Sequence, residues 1–531
     1  MAPLAFLSEL GRREQALFGI GVIVIAIWVI QQLFFTIRYP SNLPRVGSRW
    51  KYHTDTLGLY REVWENYLKK GKTVVVPGLL FHDDVLLPPS ALRWLIRQPE
   101  RLVSASAAQV EVLQPNYGFG HDKFIQDPWP GMLVKTDLNA VLENVCAAMN
   151  AELGVAIDSH FGTDTSEWKE FRVLPTIQLI VAQAATRFTL GASPVGSELC
   201  LNKEYLRACL DVNDALVINA GLGSTSPRLL RPILGRIGAI SAKRQIKALE
   251  KFIEPVYRER LRILEEEAAN PGIETPEDHF QLMMSFAMKE RRDEAMSLTA
   301  MTKRICVANV GSMHQTSIQV ANMLLNIIDS DAEFNTTAIL RDEIAQIVGD
   351  NRATGWDKGR VAALTRADSV ARETLRLHSF GIRGVTRMVV ADGVVTEDGI
   401  ELPRGAMVSV NAYWAQLDGT QIEDPFKFDP FRFSRQREAE VDEQGKPGIP
   451  SLSFISTGPQ NLAFSHGKHA CPGRYLVDFE LKMIIAYVLS NYDLEFPKEY
   501  NGKRPANLRM MEVNIPRDDV IIRVKRRVTN S

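Results

Sequence analysis

The chain has 531 residues, 45% hydrophobic and 24% charged, with a formal net charge of −1. That length exceeds one small core but suits a large one-domain fold, the composition is ordinary for a globular protein, and the charge offers no basic excess for nucleic acid. The five cysteines, Cys146, Cys200, Cys209, Cys306 and Cys471, form no CxxC pair and no regular spacing, which argues against a disulfide framework or a zinc cluster.

Along the chain, residues 1–16 read as a short flank in which Glu9 and Glu14 partly offset Arg12 and Arg13. Leu17 to Ile37, LFGIGVIVIAIWVIQQLFFTI, carries no charge over 21 residues. A bilayer core needs about 20 apolar residues in a helix, and no small-residue cleavage site follows, so residues 17–37 are expected to be a retained transmembrane anchor. Arg38, Arg45, Arg49 and Lys51 come next, and this positive excess predicts a cytosolic body. Residues 38–60, with Pro40 and Pro44, read as a linker. Residues 61–531 read as one body, with no repeat, no second apolar run of spanning length and no clear boundary for another domain.

Within the body, helical patterns dominate from about Asp137 to Leu377. Segments such as LRACLDVNDALVI and KALEKFIEPVYRERLRILEEEA repeat apolar residues at three- and four-residue steps. From Ser297, SLTAMTKRICVANVGSMHQTSIQVANMLLNIID is a long helix pattern interrupted by Gly311. Short strands are expected at VTRMVVADGVVT and MVSVNAYW, separated by breaks at Asp398-Gly399 and Pro403-Arg404-Gly405. The polar, proline-containing stretch from Arg435 to Pro450 reads as a surface loop. The fold class is therefore mostly α with a minor β-sheet.

Near the C-terminus, FSHGKHACPGRYLVDFELKMIIAYVL starts at Phe464. Leu476, Val477, Leu481, Ile484, Ile485 and Val488 fall at helical spacing, and Pro472 suits the first turn of that helix. Cys471 therefore stands at a helix N-terminus, where unpaired N–H groups and the positive dipole end stabilise a thiolate. Gly467 and Gly473 let the backbone approach a flat group closely, and Phe464 is placed to shield the loop from water. The pattern Phe464-x-x-Gly467-x-His469-x-Cys471-Pro472-Gly473 resembles the haem-binding loop of the cytochrome P-450 family. The resemblance implies that Cys471 is the iron ligand. His469, where arginine is common, implies a hydrogen bond to a haem propionate, as in the fungal branch.

Further motifs agree with it. Glu373 and Arg376 are three apart on one helix face, and alone such a pair is worth less than about 1 kcal/mol. They resemble the family's Glu-x-x-Arg motif, and Arg432, in Phe428-Asp429-Pro430-Phe431-Arg432-Phe433, resembles its downstream arginine. The resemblance implies that the three form a buried structural network. Arg387, in RGVTRMVV, resembles the strand arginine that binds a propionate, and Lys135, after Pro128-Trp129-Pro130-Gly131, is a second propionate candidate.

On the long helix, the matching stretch is Gly311-Ser312-Met313-His314-Gln315-Thr316. The family usually carries an acid and then a threonine here, to relay protons to dioxygen on the iron. His314 takes the acid place, Gln315 the threonine place, and Thr316 follows one residue later. The preferred relay residue is Thr316, because one hydroxyl both accepts and donates.

The resemblance implies a haem b monooxygenase on the cytochrome P-450 fold. It implies electrons from NADPH through NADPH-cytochrome P-450 reductase, and a single-pass location in the endoplasmic reticulum membrane, in contact with membrane lipid. The expected substrate is a lipophilic small molecule of secondary metabolism, a terpenoid by analogy. Two other readings keep the haem: an isomerase or dehydratase that does not activate dioxygen, supported by Gln315, and a non-enzymatic membrane haem sensor.

Overall fold

The computed structural model describes residues 26–528 apart from 28, 79–81, 137, 350–355 and 441–449. Residues 1–25, and with them most of the expected anchor, lie outside the described residues. The chain is helical at 26, 27, 29 and 30 and then turns as a π-helix over Gln31–Phe35. Val29, Leu33 and Phe34 are exposed, whereas Gln31 is buried. Among the described residues one helix is long and apolar enough to cross a membrane, Val173–Leu190, and it is mostly buried as a core helix.

The N-terminal part of the body holds α1 (Thr56–Asn66), β1 (Val74–Pro77), β2 (Asp83–Leu87), α2 (Leu92–Arg97) and β3 (Val103–Ser104). Next come α3 (Trp129–Lys135), α4 (Leu138–Phe161), β4 (Lys169–Arg172), α5 (Val173–Leu190) and α6 (Lys203–Thr225). α7 (Arg231–Ala269), α8 (His279–Glu290), α9 (Leu298–Asn309), α10 (Gln315–Phe334), α11 (Thr336–Ile347) and α12 (Thr365–Leu377) complete the helical stretch that periodicity predicts. The starts are capped where the sequence supplies an acceptor. Asn202 Oδ1 takes the N–H groups of Glu204 and Tyr205 at 3.0 and 3.1 Å before α6, and Ser297 Oγ takes that of Ala300 at 3.2 Å before α9. α7 survives an internal Pro255 because that residue is exposed, so water can reach the carbonyl it leaves without a donor.

Two of the four apolar cores among the described residues hold the helices from α3 onward. One joins α4, α5, α10, α11 and α12 to the C-terminal helix α14 (Arg474–Asn491), through side chains such as Ile157, Ile177, Leu324, Val370 and Ile484. The other joins α3, α6, α7, α8 and α9, through Trp129, Cys209, Leu249, Met283 and Cys306. α9 and α10 are one rod running from the second core to the first: Met313 belongs to one and Ile318 to the other. Trp129 fixes α3 by donating its indole N–H to Glu294 at 3.4 Å. Glu294 also takes two donors of the buried Arg304 at 3.0 and 3.1 Å. Burial raises this carboxyl, but hydrogen bonds from Arg304 and Lys123 outweigh it and hold the pKa at about 2.

The strands form a minor part, as expected. β5 (Arg383–Val389) and β6 (Met407–Asn411) join the N-terminal strands in a sheet ordered β1-β2-β6-β5-β3, parallel only between β2 and β6. β6 ends at Asn411, whose side chain accepts the Trp414 N–H at 3.3 Å and starts a short helix, so MVSVNAYW is only half strand. β10 (Ile521–Arg526) pairs with β4 on one side and β7 (Tyr492–Glu495) on the other, and the hairpin β8 (Leu508–Met510) and β9 (Val513–Ile515) lies between β7 and β10 in sequence.

The expected loop from Arg435 to Pro450 is corrected in its first part. Arg432–Ala439 is a helix, α13, and residues 441–449 lie outside the described residues. Long-range contacts make this polar segment helical: Phe433 N–H donates to Ser369 Oγ at 3.1 Å, and Arg437 reaches Asp368 at 2.8 Å.

Candidate active site

The loop from Phe464 to Gly473 closes on itself. The Cys471 N–H donates to the Phe464 carbonyl at 2.8 Å, and Ser465 and Gly467 take left-handed backbone angles, φ +59° and +76°. At Gly467 a Cβ would also stand 3.3 Å from Ile96 of α2, so glycine answers both backbone and packing. Phe464 meets Phe454 edge-on, with ring centroids 5.1 Å apart. α14 begins at Arg474 with Gly473 as its cap, so Pro472 stands just outside the helix rather than in its first turn. The Cys471 thiol is half-buried. Burial pushes its pKa up, and the N–H groups of Gly473 and Arg474, with the Arg474 charge, pull against it.

Beside the loop stands Arg387. β5 carries one extra residue between Gly384 and Arg387 relative to β6, and Val385 within that bulge has φ +54°. A β-branched residue in the left-handed region is strained, and a bulge re-aims the side chains after it. Arg387 is buried; its Nη1 donates to the Thr386 carbonyl at 2.9 Å, while Nη2 has no hydrogen-bond partner. Burial lowers its pKa, opposed by Glu100. His469 Nε2 lies 2.7 Å from Glu100 but off the line of a good hydrogen bond. Burial, and then the Arg387 charge, lower the His469 pKa. Glu100, which no local sequence pattern marks, also accepts from Ser104 Oγ at 2.7 Å and Ala105 N at 3.2 Å. Lys135 ends α3 and is exposed; the same helix reaches the loop at Gly131, where a Cβ would lie 3.7 Å from Pro472.

The Glu373, Arg376 and Arg432 side chains do meet. Glu373, wholly buried, accepts two bonds from Arg376 at 2.7 Å each and one from Arg432 at 3.1 Å. Arg376 continues to the Pro425 carbonyl at 2.5 Å and Arg432 to that of Glu423 at 2.6 Å.

The rod at Gly311 is a π-helical turn, Val310–His314. Asn213 of α6 donates to the Asn309 carbonyl at 3.4 Å, where the turn begins. Gly311 and Gln315 are exposed, with nothing within 4 Å of the point where a Gly311 Cβ would stand. Thr316 is 1% exposed, and its hydroxyl makes no hydrogen bond. It follows Met313, which is wholly buried, by three residues, so Gln315 borders the open side and Thr316 the packed side. The π turn shifts the register by one residue, which local spacing does not reveal. His314 Nε2 lies 3.4 Å from Asp214 Oδ1 of α6.

These residues fit a haem. Gly473 and Gly311 each leave open space where a side chain would stand, Cys471 offers a partly accessible sulfur, and Arg387 keeps a buried N–H group without an acceptor. Among the described residues no group of three or more His, Cys, Asp or Glu could hold a metal ion. Cys471 is the side chain that would supply a ligand to a haem iron here.

The model of the family described as "Cytochrome P450" matches residues 136–521. The chain is 48% identical to cytochrome P450 monooxygenase pbrC of Penicillium brasilianum over 94% of each chain. It is 47% identical to cytochrome P450 monooxygenase astC of Aspergillus terreus, again over 94% of each. To cytochrome P450 monooxygenase tenB of Beauveria bassiana it is 38% identical over 99% of this chain and 98% of the other.

Glu373→Ala leaves two guanidinium groups facing an empty place, at an expected cost of about 3–5 kcal/mol. The variant should show a lower denaturant midpoint and purify with little haem. Lys427→Ala, which breaks the exposed pair with Glu333, should change stability by less than about 0.5 kcal/mol. A Glu373→Ala protein with wild-type haem content would reduce the network to a dispensable contact.

Proposed function

This chain belongs to the cytochrome P450 family and is a haem-dependent monooxygenase, and we propose that it oxidises a bulky lipophilic small molecule of secondary metabolism. A terpenoid is the class to test first. The observation that carries the site reading is Cys471, a half-buried thiol facing two helix-terminal N–H groups at the end of a loop closed by Phe464. Bound haem supplies the iron at which dioxygen, with electrons from NADPH through a reductase, becomes able to place one oxygen atom in a C–H bond or double bond.

The chain's own residues do the rest. Cys471 ligates the iron as thiolate, and Phe464, Gly467 and Gly473 give the loop its shape and exclude water. Arg387 Nη2 and His469 Nε2, both buried without a hydrogen bond, receive the propionates, with Lys135 at the end of α3 as a further cation. Around the π turn, Gln315 holds a water on the open side with its amide, and His314 passes protons toward it. Thr316 then supports the turn from the packed side.

The same reading places the body on the cytosolic face of the endoplasmic reticulum, anchored by residues 17–37. Its support is an apolar outer surface. Ile218 and Leu222 near the end of α6, Leu229, and Ile233, Ile237 and Ile240 at the start of α7 are all exposed. Gln31, in the last part of the anchor, accepts the Arg228 N–H at 3.0 Å, so that end of the anchor lies beside this surface. Exposed aliphatic side chains next to a spanning segment suit contact with lipid.

Four measurements test this reading. The reduced, CO-bound protein should show the red-shifted Soret band of thiolate ligation, and Cys471→Ala should lose it; a retained band would move the iron ligand elsewhere. Gln315→Ala should raise the peroxide released per NADPH consumed several-fold, with Thr316→Ala changing it less. The reverse order would return the relay to Thr316. Removing residues 1–37 should shift much of the protein to the soluble fraction without loss of haem, and Asn335, exposed in Asn335-Thr336-Thr337, should carry no sugar. Sugar at Asn335 in a native host would invert the topology.

A further inference from the structure

α6 touches the π turn with two consecutive residues. Asn213 donates to the Asn309 carbonyl, and Asp214 brings Oδ1 to 3.4 Å from His314 Nε2. The two ends of this contact differ in access to water. The Asp214 side chain is 66% exposed and that of His314 16%. His314 Nε2 is buried and has no aligned hydrogen bond, so the ring nitrogen facing the carboxylate is otherwise unengaged. No other basic side chain is paired with Asp214 among the described residues. The other charges that act on it are Asp211 on the same helix and Asp518, just before β10.

We propose that Asp214 is a positioning residue that forms a carboxylate–imidazole dyad with His314 and recharges it with protons from solvent. The inference rests on the reading that His314 passes protons around the π turn, and adds the group that would resupply it. A proton taken from water by Asp214 moves from Oδ1 to His314 Nε2. The ring then releases one proton from Nδ1 toward the water held by Gln315. One proton enters for each that leaves, and no electron moves. A contact of 3.4 Å closes to hydrogen-bond length with a small rotation of either side chain. The π turn is what makes the pairing available, because it turns residue 314 away from the position it would hold on a regular helix. Burial depresses the His314 pKa and Asp214 counters it; burial raises the Asp214 carboxyl, as do Asp211 and Asp518. The raised carboxyl lowers the cost of placing a solvent proton on Asp214, and the depressed imidazole lowers the cost of releasing one from His314.

The test uses the full-length haem protein and needs no organic substrate. In histidine-labelled protein, in the diamagnetic ferrous CO form, the His314 ring resonance is assigned by His314→Gln and titrated with pH. Asp214→Asn should lower its midpoint by about one pH unit, Asp214→Glu should restore most of it, and Asp211→Asn should leave it nearer wild type. In parallel, peroxide released per NADPH consumed is measured with the reductase and dioxygen across pH 6–8, a range set about neutrality where histidine titrates. Asp214→Asn should raise the ratio at least threefold, more steeply at high pH, with rescue by Asp214→Glu. An unmoved His314 midpoint in Asp214→Asn overturns the dyad. A moved midpoint with an unchanged ratio in Asp214→Asn, while His314→Gln raises it, overturns the resupply role and spares the relay. An unchanged ratio in His314→Gln overturns the relay reading itself.

Discussion

A wholly buried carboxylate governs this architecture. Glu373 is stable in its place only because Arg376 and Arg432 take up its charge, and neither guanidinium stops there: both go on to backbone carbonyls between residues 423 and 427. α12, which carries Glu373, repeats the device along its length. Asp368 holds Arg437 of α13, Lys482 of α14 and the N–H of Phe454. Arg372 holds the carbonyls of Ser451 and Ser453 at 2.8 and 3.1 Å. One helix thus pins two irregular stretches that have few partners of their own, and the second runs directly into the loop that presents Cys471. The position of the sulfur follows from charge pairs on a helix that never touches it.

How far this could be read from the residues depends on the range of the interaction. The Cys471 loop was legible because its determinants are local: two glycines, a proline and an apolar helix pattern within a few positions. The helices of the long central stretch were legible for the same reason, and the break at Gly311 was visible as a fault in the pattern. Glu373 and Arg376 were visible as a pair, but their burial was visible only through family resemblance, because spacing of three on a helix is the same on a surface and in a core. Asp368 with Lys482, Glu100 with His469 and Asp214 with His314 are separated by about a hundred residues or more, and no local signal marks such partners. The first part of the stretch from Arg435 to Pro450 failed as a loop for the converse reason. Its composition is polar and its helix is held by α12, so propensity had little to say.

Two departures from regular geometry accompany candidate site residues. Val385 sits at positive φ inside the bulge that precedes Arg387, and the π turn stands where His314 and Gln315 leave the rod. Each departure is costly alone: a strained β-branched residue in one, a disturbed hydrogen-bond ladder in the other. Each is held by ordinary structure on both sides, β5 against β6 and the rod against α6. Each also leaves a polar atom nearby without a hydrogen bond, Arg387 Nη2 and His314 Nε2. A fold selected for stability alone would have little reason to keep irregular backbone and an unsatisfied polar atom together twice. Irregular backbone kept together with an unsatisfied polar atom marks a candidate site rather than a packed core, and regular secondary structure alone would not have aimed these two side chains.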